Sequence, residues 1–516
     1  MIRSQADSAL FNMAAYCLAA GARAHPTKPA LIVIADATSA APAEVWTYAA
    51  LEDAVLRCAA ALKAVGLAPG DRILIRLENT SAYAVLFFAA VAAGLVALPA
   101  SSQLTATETE FLLADSGAAA IALAEHISLD VPVGVRVFTP SDVTHMMKHA
   151  MRADYAPTAA EDPAFLIYTS GTTASPKGVL HAQRSALGRR PMYQGWYGLT
   201  PDDRVLHAGA FNWTFTLGTG LTDPWANGAT AIIYTGEKDP TLWPRLIAGT
   251  EATLFAGVPG VYRQILKYAN PSRASMPSLR HGLVAGETPP PALFEEWTAR
   301  TGTELYEALG MSEISTYISS APAVPRKPGA VGKPQPGRRV AILPVEGGEA
   351  PLEPGAEGLI AVDRSDPGLM LGYWQRPEEE AAVMRGSWFA GGDLGVMDRD
   401  GYITHTGRNN DIMKALGYRV SPLEVEGVLA QHPGVAEIAC AEVRVREGVS
   451  VIGAFIVPNT DRAPTESEIA AFAAERLAGY KRPREIRFVT ELPRTANGKI
   501  RRSDLAQLYA LAGDDK

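Results

Sequence analysis

The sequence predicts an α/β protein: a large N-terminal domain of parallel-type α/β sheets, a small β-rich module and a separate α+β C-terminal domain. Helix and strand patterns alternate through residues 46–125 and 163–290, which is typical of parallel sheets covered by helices. Prolines and glycines interrupt short strand patterns between about 325 and 405. The last hundred residues combine helices with a strand pair.

The N-terminal residues resemble a signal peptide only in part. They contain a basic residue and an apolar stretch, but Asp7 and Asn12 interrupt that stretch. We therefore predict an amphipathic helix that leads into a strand at 30–34.

A second apolar run, 83–100, has about the length of a membrane span. Gly94 and Pro99 break it, and alanines dominate its composition. We predict a buried helix at about 80–93, a cap at Gly94 and a short central strand, and no membrane span.

The remaining elements follow from the periodicity of apolar residues. The predicted helices are 46–66, 105–117, 181–189, 240–250, 260–269, 421–431 and 465–478. The predicted strands are 71–77, a strand near 96, 164–168, 229–234, 252–256, 281–285, 438–445, 450–457 and 485–489. A hinge at 406–411 divides the chain into predicted domains of 1–407 and 408–516.

Composition limits the classes of function. The chain has 516 residues, 47% of them hydrophobic and 20% charged, which fits several globular domains. The net charge of -8 argues against a nucleic-acid or membrane-surface partner, because both require a basic face. Cys17, Cys58 and Cys440 are far apart, which excludes a disulfide framework or a cysteine zinc site and fits the cytoplasm.

A run of small polar residues, 169–178, follows a predicted strand and precedes a predicted helix. Its glycines allow backbone N–H groups to converge on an anion, its hydroxyls add donors, and Lys177 adds positive charge. The N-terminus of the following helix would add its dipole. A flexible linker is the alternative, but linkers seldom lie between a hydrophobic strand and a helix. The run therefore predicts a phosphate-binding loop.

The loop differs from better-known motifs. A Walker loop has a glycine before its lysine and a hydroxyl after it, whereas Pro176 and Gly178 flank Lys177 here. The segment 218–223 lacks the third glycine of a dinucleotide fingerprint, 310–314 misses the GxSxG elbow, and HExxH is absent from the sequence. Kinase, hydrolase and zinc-protease functions lose support.

The loop, with six further stretches in the same order, resembles the adenylate-forming superfamily of acyl-CoA synthetases, peptide-synthetase adenylation domains and luciferases. The stretches are YTSGTTASPKGV (168–179), AGETPPP (285–291), YEALGMSE (306–313), GLMLGYW (368–374), WFAGGDLG (388–395), GRNNDIMKALGYRVSPLEVE (407–426) and LPRTANGKIRR (492–502). They cover nearly the whole chain and are most similar to benzoate, cyclohexanecarboxylate and medium-chain acid–CoA ligases. An acyl-CoA synthetase-like fold with a mobile C-terminal domain is implied.

The resemblance implies a two-step reaction. ATP and a carboxylic acid form an acyl-adenylate and pyrophosphate, and the thiol of coenzyme A then takes the acyl group and releases AMP. The first step brings two anions together, so Mg²⁺, lysine and N–H donors must screen their repulsion. ATP, Mg²⁺ and coenzyme A are the implied cofactors and cosubstrates.

The resemblance also assigns the nucleotide site. Ser312 would bind the α-phosphate, Glu313 would bind Mg²⁺, Asp393 would accept hydrogen bonds from the ribose hydroxyls, and Arg408 would contact the ribose or a phosphate. Leu309 lies where many relatives have an aromatic residue, although benzoate-type ligases have an aliphatic one. The β- and γ-phosphates would be held by Thr169, Ser170, Gly171, Thr172, Thr173 and Lys177, and the adenine by Gly286, Glu287, Thr288, Glu307, Ala308 and Leu309.

The implied catalytic set is Lys177, Ser312, Glu313 and Lys499. Lys499 would bridge the carboxylate and the α-phosphate in the first step. The C-terminal domain would then turn about Asn410 to shape the thiol channel. That channel would use Lys414, Gly417, Tyr418 and Arg419. Replacing Lys499 by alanine is expected to slow pyrophosphate release but to spare thioester formation from supplied acyl-adenylate.

The acid would lie against segments 207–218 and 258–260 and the strand that ends at 285. An apolar monocarboxylate is favoured, whether aromatic, alicyclic or short- to medium-chain, because 205–237 contains no arginine or lysine to pair with a second carboxylate. Each aromatic residue of this segment could equally belong to the ordinary core. The proposed pocket residues are Phe211, Trp213, Phe215, Ala285 and Gly310.

Other functions remain open at this point. An adenylating enzyme that loads a carrier protein uses nearly the same motifs, and a non-catalytic nucleotide-binding protein could share the fold. The nucleotide of coenzyme A needs cationic residues around the thiol channel, and the candidates for them are Arg419, Arg444, Arg446, Lys481 and Arg482. The joint presence of Lys177, Glu313, Asp393 and Lys499 favours turnover. The expected partners are small molecules and no nucleic acid, and a homodimer is a family-level expectation.

Overall fold

The computed structural model describes residues 10–38, 41–169, 176–409, 411, 413–415, 418–446, 449–460, 462–494 and 500–511. The chain forms two compact units, one of residues 1–340 and 362–389 and the other of 341–361 and 390–516. This division groups much of the β-rich module with the C-terminal residues. The predicted domain boundary between 407 and 408 stays a prediction.

The first unit contains two mixed sheets whose central strands are parallel, as the alternating pattern predicted. The nine-stranded sheet has the order Lys333–Pro334, Ser315–Ser319, Glu304–Met311, His281–Ala285, Leu254–Gly257, Arg204–His207, Thr230–Tyr234, Pro29–Ile34 and Glu44–Thr47. The seven-stranded sheet has the order Gly372–Tyr373, Lys177–Ala182, Pro163–Thr169, Val96–Pro99, Arg72–Arg76, Ala120–Leu123 and Arg136–Phe138.

Helices cover these sheets. One apolar core joins a face of each sheet through three helices, Met13–Ala24, Tyr48–Ala64 and Ser81–Ala92. The other α-helices of the unit are Ala106–Ser116, Pro140–His149, Arg190–Met192, Thr214–Leu217, Asp223–Ala226, Trp243–Gly249, Pro259–Tyr268, Pro291–Thr301 and Pro377–Val383. Short 3₁₀ turns occupy Gln183–Arg189 and Pro240–Leu242, and π-helical turns occupy Tyr193–Tyr197 and Gly218–Thr222.

The apolar run after residue 80 forms the buried helix that the sequence predicted. Every residue of Ser81–Ala92 is buried, Thr80 caps its N-terminus, and Gly94 has a φ of 79° that ends it. A helix that is hydrophobic all round belongs in a core. Among the described residues, no helix is both long enough and apolar enough to cross a membrane.

The helix predicted near 181–189 forms as a 3₁₀ helix, Gln183–Arg189, but it does not follow the small polar run directly. Residues Lys177–Ala182 form a strand that runs antiparallel to Pro163–Thr169, and a 3₁₀ turn follows it. The phosphate-loop sequence therefore joins the two strands of a hairpin. A helix dipole at this place no longer supports anion binding.

The second unit is richer in β structure. Most residues of four strands, Val340–Leu343, Glu357–Asp363, Trp388–Met397 and Ile403–Arg408, belong to it, whereas the short strand Met384–Arg385 belongs to the first unit. A two-stranded ladder pairs Met413–Ala415 with Tyr418–Val420, and a three-stranded sheet has the order Val435–Arg446, Val449–Pro458 and Glu485–Phe488. The helices are Pro422–Leu429, Glu466–Arg476, Arg502–Leu511 and the 3₁₀ turn Gly479–Lys481. These elements confirm the predicted α+β composition.

Candidate active site

The carboxyl ends of neighbouring parallel strands bring several predicted site residues to one edge of the nine-stranded sheet. His281–Ala285 lies between Leu254–Gly257 and Glu304–Met311, and Ala285 is in register with Ala308. Ligands of open α/β sheets commonly bind beyond such ends. The predicted adenine-slot residues 286–288 and 307–309 therefore come from adjacent strands.

Gly286 turns the chain away from the sheet immediately after its strand. Its φ of 100° is one that side-chain-bearing residues rarely adopt. A Cβ placed on it would lie 3.4 Å from Cγ1 of Val258 and 3.9 Å from Cζ3 of Trp213. Trp213 is thus the aromatic residue of the acyl segment that reaches this turn, while Glu287 and Thr288 continue the chain beyond it.

Ser312 and Glu313 directly follow the strand Glu304–Met311, and hydrogen bonds fix both the side chain and the backbone of Glu313. The Tyr373 hydroxyl donates to Oε1 of Glu313 at 2.7 Å, and the Met370 N–H donates to the Glu313 carbonyl at 2.8 Å. Both partners come from the motif 368–374. A carboxylate that is oriented in this way is suited to binding a hard cation together with phosphate oxygens.

His181 positions the backbone of Ser312. Its Nε2 lies 2.8 Å from the Ser312 carbonyl, and its ring stacks on Phe165 with centroids 4.6 Å apart. Burial lowers the pKa of His181 to about 4, so the ring is neutral and Nε2–H must be the donor. His181, Arg189 and Ser315 line a cavity of about 30 Å³, which is room for one water.

Lys177 lies at the start of the return strand of the hairpin. Its ammonium group forms an ion pair with Glu379 and lies 5.5 Å from the centre of the Tyr373 ring. Lys177 and Glu313 therefore contact the same tyrosine. This brings the charge of the predicted phosphate lysine close to the predicted metal ligand.

Replacing Glu379 by glutamine is expected to lower the KM for ATP about two- to fivefold. The change removes a carboxylate that competes with the ATP phosphates for the ammonium group of Lys177. That range matches the ~1 kcal/mol or less of a partly exposed ion pair. Steady-state pyrophosphate release at varied ATP concentration measures it. Glu378→Gln removes the same charge from the same helix and is the matched control. An unchanged KM in Glu379→Gln would contradict the competition.

Glu307 lies beside the turn at Gly286 and has an unusual acidity. Burial of its carboxyl group raises the pKa of Glu307 to about 8, although the residue keeps some exposed surface, and Arg326 offsets only part of the increase. The backbone N–H of Glu307 is paired separately, because it donates to Oγ of Ser320 at 2.9 Å. The carboxyl group is therefore mostly protonated at neutral pH.

This acidity makes the stability of the protein depend on pH. The folded pKa of Glu307 is raised, so its contribution is fully present below about pH 4.5 and is lost as the pH rises through about 8. We expect Glu307→Gln to unfold at higher urea than the wild type at pH 9, and the difference to shrink towards pH 5. Glu304→Gln, an exposed change on the same strand, is the control. A difference that is constant from pH 5 to 9 would contradict the assignment.

The three predicted acyl-pocket aromatics have different surroundings. Phe211 is buried against Tyr83 of the buried helix, with ring centroids 5.4 Å apart, so its contacts are those of a core residue. Phe215 packs on Trp196 and His207 in the core beneath the candidate site. Only Trp213 is both partly exposed and near the turn at Gly286.

Gly310 is a site of close backbone approach. A Cβ on it would lie 2.5 Å from the carbonyl oxygen of Ser315 and 2.7 Å from Cα of Thr316, both on the paired antiparallel strand. Any larger residue would separate the two strands. Its role in the acyl pocket stays a prediction.

A buried ionic network lies beside this region. Arg189 donates to both carboxylate oxygens of Asp223 at 2.7 Å, and the Tyr197 hydroxyl also donates to Asp223 at 2.7 Å. The third nitrogen of the guanidinium, Nη1, donates to Oγ of Ser315 at 2.5 Å. Ser315 is two residues beyond Glu313 and has a φ of 68°, so the network supports the chain just after the predicted metal ligand.

The second unit contains its own charged cluster around Asp393. This carboxylate is buried and accepts from Nε of Arg408 at 3.2 Å, and Nε2 of His405 lies 3.3 Å from it. Burial opposes ionisation, but Arg408 and His405 outweigh burial and hold the pKa of Asp393 below its ordinary value. Asp393 is thus a carboxylate at neutral pH, as a hydrogen-bond acceptor for ribose hydroxyls must be.

The predicted coenzyme A residues lie in part on the two-stranded ladder, where the backbone of Lys414 pairs with that of Arg419 and the backbone of Tyr418 pairs with that of Ala415. Other predicted residues lie outside the described ranges. These are Ser170, Gly171, Thr172, Thr173, Asn410, Gly417 and Lys499.

Sequence reasoning missed several residues of the site: His181, Glu379, Tyr373, His405, Arg189 and Asp223. Tyr373 stands inside a motif that was recognised, so a hydroxyl in that motif was the available signal. The others become partners only through contacts between residues that are far apart in sequence, for which the sequence pattern contains no signal.

Comparison with known proteins identifies the family. The AMP-binding enzyme model matches residues 18–374, and the AMP-binding enzyme C-terminal domain matches 424–499. The chain is 31% identical over 481 residues to a 3-hydroxybenzoate–CoA ligase of Aromatoleum sp. strain CIB, which covers 90% of this chain and 91% of the relative. It is 30% identical over 472 residues to the mitochondrial acyl-coenzyme A synthetase ACSM3 of Mus musculus, covering 86% and 80% of the two chains.

A solved structure gives the same result. The crystal structures of a benzoate CoA ligase from Burkholderia xenovorans LB400 match with a TM-score of 0.86 and 30% identity, over 96% of this chain and 100% of that one. The resemblance seen in the motifs is confirmed over nearly the full length. The chain belongs to the AMP-binding enzymes, and within them it is an AMP-forming acid–CoA ligase.

Proposed function

We propose that this ligase activates an apolar monocarboxylic acid, and that an aromatic acid is the class its site accommodates best. The main support is a set of small or apolar residues on one face of the sheet, at the ends of its central strands. These are Ala256, Leu283, Ala285 and Ala308, and Phe215 belongs to the same apolar cluster. Trp213 adds an aromatic surface beside Gly286. The named substrates of two relatives, benzoate and 3-hydroxybenzoate, agree with this class.

ATP is expected to place its phosphates near Lys177, Ser312 and Glu313. The residues present fit Mg²⁺, because this ion commonly takes one or two carboxylates and leaves the other positions to phosphate and water. Within the described ranges, no three His, Cys, Asp or Glu side chains cluster as a metal cage, and the single oriented carboxylate of Glu313 suits an ion held mainly by its nucleotide. When bound, Mg²⁺ would reduce the negative charge of the phosphates.

The chain's own groups would then lower the barrier of the first step. Lys177 contributes a second positive charge, and His181 keeps the Ser312 backbone in place so that its hydroxyl can face the α-phosphate. Asp393 is proposed to bind the ribose, and Arg408 to contact the ribose or a phosphate. Preorganised groups of this kind stabilise charge that develops in the transition state.

Lys499 is proposed as the lysine of adenylation, Asn410 as the hinge, and residues 414–419 as part of the coenzyme A channel. A cytoplasmic location and a homodimer also stay proposals. These assignments rest on the matched motifs.

The proposed substrate class is tested by a panel of acids with ATP, Mg²⁺ and coenzyme A. Pyrophosphate and free thiol are measured separately. We expect aromatic acids to release pyrophosphate and consume thiol in equal amounts, with kcat/KM at least tenfold above those of hexanoate and cyclohexanecarboxylate. Malonate is the matched charge control and should give neither product. A preference for a dicarboxylate or for a linear acid would overturn the proposal.

A further inference from the structure

His207 is the last residue of a central strand of the nine-stranded sheet. It is in register with Ala256, which is in register with Leu283. Side chains two residues apart on a strand lie on the same face, about 6.5 Å apart along it. His207 therefore shares its face with Ala285, which follows Leu283 by two residues, and lies one step deeper beneath the proposed acyl pocket.

The hydrogen-bonding state of the imidazole follows from its neighbours. The Gly209 N–H donates to Nδ1 of His207 at 2.9 Å, so Nδ1 is an acceptor. Burial lowers the pKa of His207 to about 3, and the positive charge of Lys238 adds to the decrease. The ring is neutral at physiological pH, and its proton is on Nε2.

Among the residues that the structure describes, none accepts a hydrogen bond from this Nε2–H. His207 is only 7% exposed. Buried polar groups are almost always paired, and an exception calls for a physical explanation. A ligand that supplies the missing acceptor would remove the penalty of an unpaired buried donor.

The surroundings of His207 fit an aromatic ligand. The Phe215 ring packs edge-on against it, with centroids 4.5 Å apart. Two glycines lie beside this side chain. A Cβ on Gly209 would lie 3.0 Å from Cε1 of His207 and 2.2 Å from Oγ1 of Thr216, and a Cβ on Gly220 would lie 3.3 Å from Cβ of His207. Ala256 and Ala285 are small side chains on the same face of the sheet. Small residues beside a polar side chain are typical of a substrate-recognition position.

We propose that His207 determines the specificity for the acid, by donating a hydrogen bond from Nε2 to an acceptor oxygen on the ring of the bound substrate. The preferred substrate is then an aromatic acid with a hydroxyl or similar acceptor group, and unsubstituted aromatic acids are poorer. This inference rests on the proposed function. It names a polar contact in a pocket whose other recognised walls are apolar.

The test compares each hydroxybenzoate isomer with the methylbenzoate that has its substituent at the same position. The two groups are similar in size, and only the hydroxyl can accept the hydrogen bond. For one isomer we expect a ratio of kcat/KM of about 10 to 100 in the wild type. In His207→Leu the ratio should fall to within about threefold of one, whereas His207→Gln, which keeps a donor, should retain part of it. The ratio cancels any general loss of activity in the variants.

A second measurement does not depend on a folded variant. In the wild-type protein with ¹⁵N-labelled histidine, the Nε2–H resonance of His207 should shift when the preferred hydroxybenzoate binds and stay in place with its methyl counterpart. The inference would be overturned if the hydroxybenzoate-to-methylbenzoate ratio of kcat/KM were near one in the wild type or unchanged in His207→Leu. The Nε2–H would then be explained by a hydrogen bond to an interior water. Turnover of benzoate with no preference leaves the proposed function standing, whereas no turnover of any aromatic acid overturns both.

Discussion

Replacing Glu313 by glutamine is expected to lower kcat/KM for pyrophosphate release by about 10²- to 10³-fold. The change removes one negative charge but keeps the shape of the side chain and its contact with the Tyr373 hydroxyl. The expected loss corresponds to about 3–4 kcal/mol of transition-state stabilisation, which is the scale of one oriented electrostatic contact in an active site. Measurements at several Mg²⁺ concentrations should show a higher Mg²⁺ requirement as well.

Tyr373→Phe is the matched control for this prediction. It removes the hydrogen bond to Oε1 but keeps the carboxylate, so we expect a loss of about tenfold or less. Equal losses in the two variants would show that Glu313 acts through the position of this loop and not through its charge. An unchanged Mg²⁺ requirement in Glu313→Gln would contradict its assignment as the metal ligand.

Replacing Asp223 by alanine is expected to lower the free energy of unfolding of the first unit by about 3–5 kcal/mol. Asp223 is fully buried and pairs with Arg189, whose side chain is only 9% exposed. Removing the carboxylate leaves a buried guanidinium without its counter-charge and also removes the acceptor of the Tyr197 hydroxyl. Chemical unfolding followed by tryptophan fluorescence measures the change.

The double variant Arg189→Met, Asp223→Leu separates charge from packing. Replacing both members of a buried ion pair by apolar residues is often nearly neutral, so we expect it to recover at least half of the lost stability. A double variant that is less stable than Asp223→Ala would contradict the explanation. Because Arg189 also contacts Ser315, reduced pyrophosphate release in a stable double variant would show that this network positions the loop after Glu313.

The regular elements could be predicted wherever local periodicity reflects burial. The helix Ser81–Ala92 was predicted because an unbroken apolar run is compatible with complete burial, and Gly94 marks its end. The return strand Lys177–Ala182 was not predicted. Its half-buried positions, Lys177 and Leu180, are three residues apart and all others are buried, because both faces of this strand are covered. The alternation that marks a half-buried strand is therefore missing here.

The candidate site shows the same limit. The motifs indicated Glu313, Asp393 and Lys177 through their resemblance to the family. The partners of these residues could not be predicted. Tyr373, the partner of Glu313, is 60 positions away, and Glu379, the partner of Lys177, lies on the helix Pro377–Val383, which contains no motif residue. Such pairs arise only when the sheets bring distant segments together.

The buried contact between Arg502 and Glu426 has a practical consequence. Arg502 begins the last helix and donates to both carboxylate oxygens of Glu426 and to the Cys440 carbonyl, while Leu505 of the same helix is fully buried. If a protease cut the chain between positions 494 and 500, these contacts would still hold the C-terminal fragment on the rest of the unit. The nicked protein should migrate as one band on a native gel and as two under denaturing conditions, so intact mobility alone is a poor sign of an uncut preparation.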